Sequence, residues 1–237
     1  MKEENKKISI CMTTYNGMRF LKEQIDSILN QSVPADEIII ADDCSNDGTL
    51  EYIKSINDQR IIIIESKNNL GVIKTIERAI YKATGDYIFL CDQDDVWLQN
   101  KIETVISEID NETNLIVHNA YITSEDTNDI IGEYFVSKKP TDKLLCNLYR
   151  NTLIGAMMAF PRSLVSHILP FPDGIGMHDI WIGLISAKKG KIKFIEKPLM
   201  YYRRHNMNVS PTFKKSKRSI IKRIKERLIT VYNLIKY

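Results

Sequence analysis

The sequence predicts an α/β fold: a mostly parallel sheet flanked by helices, followed by a basic amphipathic C-terminal helix. Three observations carry this reading. Nearly all-apolar short runs alternate with helical periodicity over residues 1–120, the pattern of strands covered on both faces. Acidic and hydroxyl clusters fall at the carboxyl ends of those runs, where open α/β sheets bind ligands. The segment Lys214 to Tyr237 combines spaced aliphatic residues with a dense positive charge.

In order, Ile8 to Thr14 reads as a strand, and Leu21, Ile25, Ile28 and Leu29 follow at helical spacing. Glu37 to Ala41 is a second strand, followed by a helix from about Gly48 to Ile56. Arg60 to Ile64 is a third strand, and Val72, Ile76, Ala79 and Ile80 mark the next helix. Tyr87 to Cys91 makes a strand, Ile102, Val105, Ile106 and Ile109 stripe a helix, and Leu115 to His118 gives one more strand. Thr123 to Lys143 is polar and weakly periodic and reads as a loop. Leu153 to Phe160 reads as a strand, Met177 to Ala187 as a helix and Lys191 to Ile195 as a strand. The expected organisation is one domain over 1–213, with a first part (1–120) and a second (121–213). Residues 214–237 form the tail helix.

Composition sets bounds. A chain of 237 residues with 43% apolar and 27% charged residues is ordinary for a soluble globular protein. No apolar run approaches the ~18 residues of a membrane span. The four cysteines are widely spaced with no Cys-x-x-Cys pair, so neither a disulfide nor a zinc site is expected, and the thiols read as reduced and intracellular. Lys214 to Tyr237 carries nine Lys or Arg and one Glu, a net of +8; with +3 overall, the remainder is near −5.

The most informative stretch is Gly85 to Trp97, where an apolar strand ends in Asp92, Asp94 and Asp95. Like charges this crowded repel unless a cation sits between them. Asp92 and Asp94 alternate and can face one point, and oxygen ligation suits Mg²⁺ or Mn²⁺ with substrate phosphates completing the shell. The plainer alternative is a solvated turn in which Asp95 caps a helix starting at Val96. Asp42-Asp43 ends the second strand, where a carboxylate can accept a pyrimidine imide N–H or a ribose hydroxyl. Asn68-Asn69-Leu70-Gly71 precedes a helix bearing Lys74, which can neutralise a diphosphate or simply be a surface lysine. Asp179 follows His178 at a helix start; it suits a general base, though an Asp there also favours the helix dipole. Tyr201 to Ser210 concentrates Arg203, Arg204, His205 and amides, which raises the chance that His205 joins the metal and Arg203 the phosphates.

The order of these motifs resembles that of family-two nucleotide-sugar glycosyltransferases with the GT-A (Rossmann-like) fold, especially the bacterial rhamnosyltransferase-like members of O-antigen and capsule synthesis. The matching parts are Thr13-Thr14-Tyr15-Asn16-Gly17, Asp42-Asp43-x-Ser45-x-Asp47-Gly48-Thr49, Asn69-x-Gly71, Asp92-x-Asp94-Asp95-x-Trp97, His178-Asp179 and Tyr202-Arg203-x-His205-x-x-Asn208. The resemblance implies that Thr13, Tyr15 and Asp43 bind the nucleoside, that Asp92 and Asp94 form the metal-diphosphate motif, and that Asp179 is the base. Cys44 stands where the family often has Gly, and His178 where an acidic residue often precedes the base. The Gln-x-x-Arg-Trp motif of processive synthases is absent, so a single sugar transfer is expected.

The resemblance implies inverting transfer from a nucleotide-sugar donor, with dTDP-rhamnose the first expectation and a UDP-hexose the alternative. The acceptor is a glycan or lipid-linked oligosaccharide. In the tail, Ile220, Ile224, Leu228, Val231 and Ile235 share one face, with Lys215, Arg218, Lys222 and Lys225 largely away from it. Such a helix is drawn to anionic lipid, which implies a cytoplasmic protein peripheral on the inner face of the plasma membrane. The alternative is a helix packed on its own domain or on a second subunit of a homodimer. Two rival functions are weaker. A haloacid-dehalogenase-like phosphatase would place its Asp-x-Asp in the first strand. A receiver-type signalling protein with a DNA-binding tail lacks a helix-turn-helix partner, so no nucleic-acid partner is expected.

Overall fold

The computed structural model describes residues 6–110, 112–206, 208 and 219–236. Strands β1 (Ile8–Thr14), β2 (Glu37–Asp42), β3 (Ile61–Glu65) and β4 (Tyr87–Asp92) are parallel and lie in the order β3-β2-β1-β4. Their connections are α1 (Met18–Leu29), α2 (Thr49–Ser55) and α3 (Val72–Lys82). Every residue of β2 is buried, and each fully buried isoleucine contributes about 2 kcal/mol of transfer free energy. β3 is as rich in isoleucine yet only half-buried, because it forms the sheet edge. α1 turns Phe20, Leu21, Gln24, Ile25 and Ile28 inward at spacings of three and four.

The second half extends the same sheet. It adds β5 (Val96–Trp97), α4 (Lys101–Ser107), β6 (Thr113–Thr123), β7 (Ile130–Glu133), α5 (Tyr134–Lys138) and α6 (Leu144–Tyr149). Then come β8 (Met158–Pro161), α7 (Val165–Ile168), α8 (His178–Lys189), β9 (Lys191–Arg203) and α9 (Ile220–Lys236). β8 enters antiparallel between β4 and β6, and β6 pairs in parallel with β9 along most of its length. β1 to β4, β6 and β9 thus share one direction, while β5, β7 and β8 run the other way.

Three expectations are corrected here. The supposed loop over Thr123 to Lys143 contains β7 and α5, because Tyr134 and Phe135 bury their rings and the Phe135 N–H donates to Asn119 Oδ1 at 2.9 Å. The strand expected over Leu153 to Phe160 shortens to β8, preceded by a 3₁₀ turn at Gly155–Met157. That turn seats Gly155 against His178, whose Nε2 would lie 2.8 Å from any added Cβ. Asp95 caps no helix; the chain continues into β5, and α4 starts at Lys101.

The tail helix packs on its own domain through Thr230 and Leu234, both buried, and Lys188 Nζ of α8 donates to the Leu234 carbonyl at 2.9 Å. Ile220, Ile224, Leu228 and Ile235 stay exposed, while Val231 is half-buried. Lys214, Lys215, Arg218 and Tyr237, like Met207, Val209 and Ser210, lie outside the described residues.

At the amino end of the sheet the carboxylates accept hydrogen bonds from neighbouring strands and turns. Buried Glu37 accepts from Ser9 Oγ at 2.6 Å, Thr84 N at 2.6 Å and Gly85 N at 3.3 Å. Asp36 accepts from Ile8 N at 2.7 Å and Asp86 from Lys7 N at 2.9 Å. These bonds tie the starts of β1, β2 and β4 together.

Candidate active site

The site lies at the opposite, carboxyl end of the strands. β1 delivers half-buried Thr13, buried Thr14 and exposed Tyr15. Thr14 Oγ1 donates to Asp42 Oδ1 at 2.8 Å, and Ser45 donates to the same carboxylate through Oγ at 2.6 Å and N at 2.9 Å. Asp42 is therefore consumed in shaping the turn after β2. Asn16 Oδ1 and Ser45 Oγ cross-link the two turns by accepting from Asn46 N and Asn16 N, each at 2.9 Å. Asp47 accepts from Thr49 N at the head of α2 at 3.1 Å. Cys44 is exposed with φ 67°, in the left-handed region that favours glycine.

Asp43 is buried, and its two oxygens accept from Leu70 N at 2.7 Å and Gly71 N at 2.9 Å. It thus fixes the loop before α3, and Asn69 Nδ2 reaches the Asp43 carbonyl at 3.4 Å. A carboxylate has about four acceptor positions, so Asp43 keeps capacity for a ligand.

β4 ends at part-buried Asp92. Gln93 then binds back to the β1 turn, accepting from Tyr15 N at 2.8 Å and donating to the Tyr15 carbonyl at 3.0 Å. Gly17 leaves room for this bond, since an added Cβ would lie 2.2 Å from Gln93 Oε1 and displace that side chain. Oxygens of Asp92, Asp94 and Asp95 lie within 4.8 Å of one another. Asp94 Oδ2 meets His205 Nε2 at 2.7 Å and accepts from Asn208 Nδ2 at 2.9 Å. His205 stacks on Phe20 with ring centroids 4.5 Å apart. Asp95 is 1% exposed; Oδ1 accepts from Arg203 N at 3.1 Å, and Oδ2 has no hydrogen-bond partner among the described residues.

The electrostatics match this crowding. Burial, then the charges of Asp94 and Asp179, push Asp92 up to about 7, with Lys101 opposing. Burial, then Asp94 and Asp92, push Asp95 well above the carboxylate range, with the Arg203 N–H and Lys101 opposing. Three converging carboxylates, one of which also has a buried oxygen with no hydrogen-bond partner among the described residues, and an imidazole bonded to Asp94 form a donor set that fits a hard divalent cation such as Mg²⁺ or Mn²⁺.

Asp179 sits half-buried in the first turn of α8, close enough that its charge raises Asp92. Its Oδ1 accepts from Ile180 N at 2.7 Å. The neighbouring His178 is a core residue: burial lowers it to about 4, and its ring lies 6.3 Å from that of Phe171. Two residues expected at the phosphates are already engaged in ion pairs. Arg203 was assigned to the phosphates, but its guanidinium is buried against Phe20 at 4.7 Å and paired with Glu23 of α1. Lys74 pairs with Glu77 at 3.1 Å and Asp173 at 3.6 Å.

Sequence reasoning missed Lys101. It is fully buried, its Nζ donates to the Ala156 carbonyl at 3.0 Å and lies 3.6 Å from the centre of the Trp97 ring. Burial lowers it to about 7, against the opposing pull of Cys91, Asp95 and Asp92. Its place directly before the apolar stripe Ile102-Val105 was the available signal.

Comparison with known proteins agrees with this geometry. The model of the family described as "Glycosyl transferase family 2" matches residues 9–169. The Escherichia coli protein WfgD, named UDP-Glc:alpha-D-GlcNAc-diphosphoundecaprenol beta-1,3-glucosyltransferase, is 28% identical over 79% of this chain and 72% of its own. A Bacillus subtilis (strain 168) protein named for teichuronic acid biosynthesis, TuaG, is 34% identical over 40% of this chain and 39% of its own. The chain thus spans well under two thirds of that relative. Among solved structures, Staphylococcus aureus TarS with UDP superposes at TM-score 0.68 and 20% identity, covering 86% of this chain and 61% of that one. The Pyrobaculum calidifontis mannosyltransferase PcManGT with GDP-Man and Mn²⁺ superposes at TM-score 0.67 and 17% identity, covering 99% and 66%. These likenesses establish the GT-A fold, and the family match over most of the chain, with the acidic cluster at the end of β4, shows that this protein belongs to glycosyl transferase family 2.

Proposed function

We propose that the chain is an inverting, non-processive glycosyltransferase that moves one sugar from a pyrimidine nucleotide-diphosphate sugar to a lipid-linked glycan acceptor in surface polysaccharide synthesis. The observation that carries this reading is the convergence of Asp92, Asp94 and Asp95, with Asp179 within electrostatic reach of Asp92. Thr13, Tyr15, Asp43 and Asn69 hold the nucleoside, with Asp43 accepting the imide N–H of the base. Asp92, Asp94 and His205 hold Mg²⁺ or Mn²⁺, with Asp95 behind them, and the bound ion supplies the positive charge that stabilises the departing nucleotide diphosphate. Asp179 takes the proton of the acceptor hydroxyl as it attacks from the face opposite the leaving group. Arg203 acts as support, its backbone on Asp95 and its side chain on α1.

The name of WfgD gives UDP-Glc as donor and a diphosphoundecaprenol-linked GlcNAc as acceptor, which supports a UDP-hexose here at least as well as dTDP-rhamnose. A thermal-shift panel of nucleotide sugars with and without Mn²⁺ tests the reading. A true donor at ~100 times its dissociation constant stabilises the fold by about 2.7 kcal/mol. A response to GDP-sugars alone defeats the role of Asp43, and no response to any nucleotide with metal defeats the assignment as a whole.

We further propose that α9 attaches the protein peripherally to the cytoplasmic membrane face. Among the described residues no helix is long and apolar enough to cross a membrane. The face of α9 that docks on the domain differs from its exposed stripe of Ile220, Ile224, Leu228 and Ile235. Each Lys or Arg near anionic lipid contributes about 1 kcal/mol. Cosedimentation with anionic liposomes that survives deletion of residues 214–237 refutes this attachment.

A further inference from the structure

The ladder between β1 and β4 ends at the pair Thr13–Asp92, and beyond it the two chains part into the turn over 14–18 and the carboxylate loop. On its β2 side that turn is fastened several times. Thr14 Oγ1 donates to Asp42 Oδ1 at 2.8 Å, Asn16 N to Ser45 Oγ at 2.9 Å, Gly17 N to Thr49 Oγ1 at 2.9 Å and Met18 N to Asp47 Oδ2 at 3.1 Å. Toward β4, the side chain of Gln93 takes the place of the lost strand partner. Its Oε1 accepts from Tyr15 N at 2.8 Å and its Nε2 donates to the Tyr15 carbonyl at 3.0 Å. An amide side chain can hold both backbone groups of one residue because it carries an acceptor and a donor on one carbon.

Gly17 has φ −105°, which any residue adopts, so its missing side chain serves space rather than backbone freedom. An added Cβ would run into Oε1 and Cδ of Gln93 and push the amide off Tyr15. The clamp joins two parts of the site with different tasks. Tyr15, 48% exposed, belongs to the turn assigned to the nucleoside. Gln93 lies between Asp92 and Asp94, whose oxygens converge with those of Asp95.

We propose that Gln93 is a positioning residue that fixes the distance between the nucleoside turn and the divalent-cation loop, so that the two ends of one nucleotide diphosphate bind as a linked pair. This assignment rests on the glycosyltransferase reading, and within it Gln93 acts through the Tyr15 backbone and through the carboxylates on either side of it. Without the clamp each part keeps its own ligating groups. A nucleoside diphosphate must reach both parts at once, and it gains from the second contact only when their spacing matches its length. The clamp is therefore felt by the joined ligand and not by its separate pieces.

Calorimetry on the full chain with uridine, with Mn²⁺, and with UDP in the presence of Mn²⁺ separates the pieces from the whole. Gln93→Ala should leave the affinities for uridine and for Mn²⁺ within about twofold, the scale on which independent sites add, and weaken UDP with Mn²⁺ roughly tenfold or more. Gly17→Ala should reproduce this pattern by displacing the amide, and should add nothing in a chain that already carries Gln93→Ala. Unchanged UDP affinity in both variants overturns the proposal. Equal weakening of all three ligands overturns it as well, since that marks a general loss of structure. A further loss from Gly17→Ala on top of Gln93→Ala does the same, because the glycine then serves another contact. If the unaltered chain binds no UDP with Mn²⁺, the glycosyltransferase reading falls and this one with it; variants that match a UDP-binding chain strike this one alone.

Discussion

The two ends of the central sheet use the same residue type to opposite effect. At the amino end, Glu37 is buried but surrounded by donors from Ser9, Thr84 and Gly85. Burial there acts to raise its pKa, yet those hydrogen bonds together outweigh it and hold the carboxyl below its ordinary value. At the carboxyl end, Asp92 and Asp95 are also withdrawn from water, but their neighbours are other carboxylates, and both are pushed up. Glu37 is arranged to hold strands together. Asp92, Asp94 and Asp95 crowd together so that His205, Asn208 and Lys101 offset their repulsion only in part, which is how a ligand site differs from a structural one.

Substitutions can break this contrast, and the largest effect is expected at the carboxyl end. Asp94→Ala and Asp179→Asn should each lower turnover by roughly 10²-fold or more, the scale of lost charge stabilisation or acid–base catalysis. Asp179→Asn should leave donor binding almost intact by calorimetry; near-normal turnover in that variant removes Asp179 from the role of base. Asp179→Asn should cost little fold stability, because it removes a charge that repels Asp92.

Glu37→Ala should do the reverse, leaving active-site groups in place while destabilising the fold by about 3 kcal/mol, since it strands buried donors. Chemical denaturation reads this directly, and a loss below 0.5 kcal/mol would contradict the role assigned to the amino-end network. The pH dependence has a definite sign. The folded value of Glu37 is depressed, so its contribution is complete above the ordinary glutamate value of about 4.3 and is lost as pH falls through the folded value. The difference in stability between the unaltered chain and Glu37→Ala should therefore shrink on acidification below that point. A difference that grows instead reverses the assignment.

The smallest effect concerns the turn after β2. Cys44→Gly relieves a left-handed backbone at 67° and should raise stability by up to about 1 kcal/mol, offset in part by the greater freedom of glycine when unfolded. Cys44→Val should lower it. If both leave the unfolding midpoint unchanged, the turn is not strained.

Much of the protein was legible in its residues. The strands Ile8–Thr14, Glu37–Asp42 and Tyr87–Asp92 were readable because buried parallel strands are written as continuous apolar runs, and their ends as turn and acidic residues. The sequence also singled out Asp92, Asp94 and His205, which the fold brings together after β4, because carboxylates crowded behind an apolar run stand out from the strand pattern. What pattern did not show is set by long-range contact. β8 is short and placed between β4 and β6 by pairing on both sides, which no local period encodes. Lys101 looks like a helix-surface lysine until the fold lays Trp97 and the Ala156 carbonyl over it. Arg203 looks like a phosphate ligand until Phe20 and Glu23, distant in sequence, enclose its guanidinium. Periodicity and charge spacing are local quantities and determine elements and their ends. The partner that each buried charge finds is decided only when elements far apart in the chain pack together, because burial, not sequence spacing, sets how strongly such a charge must be compensated.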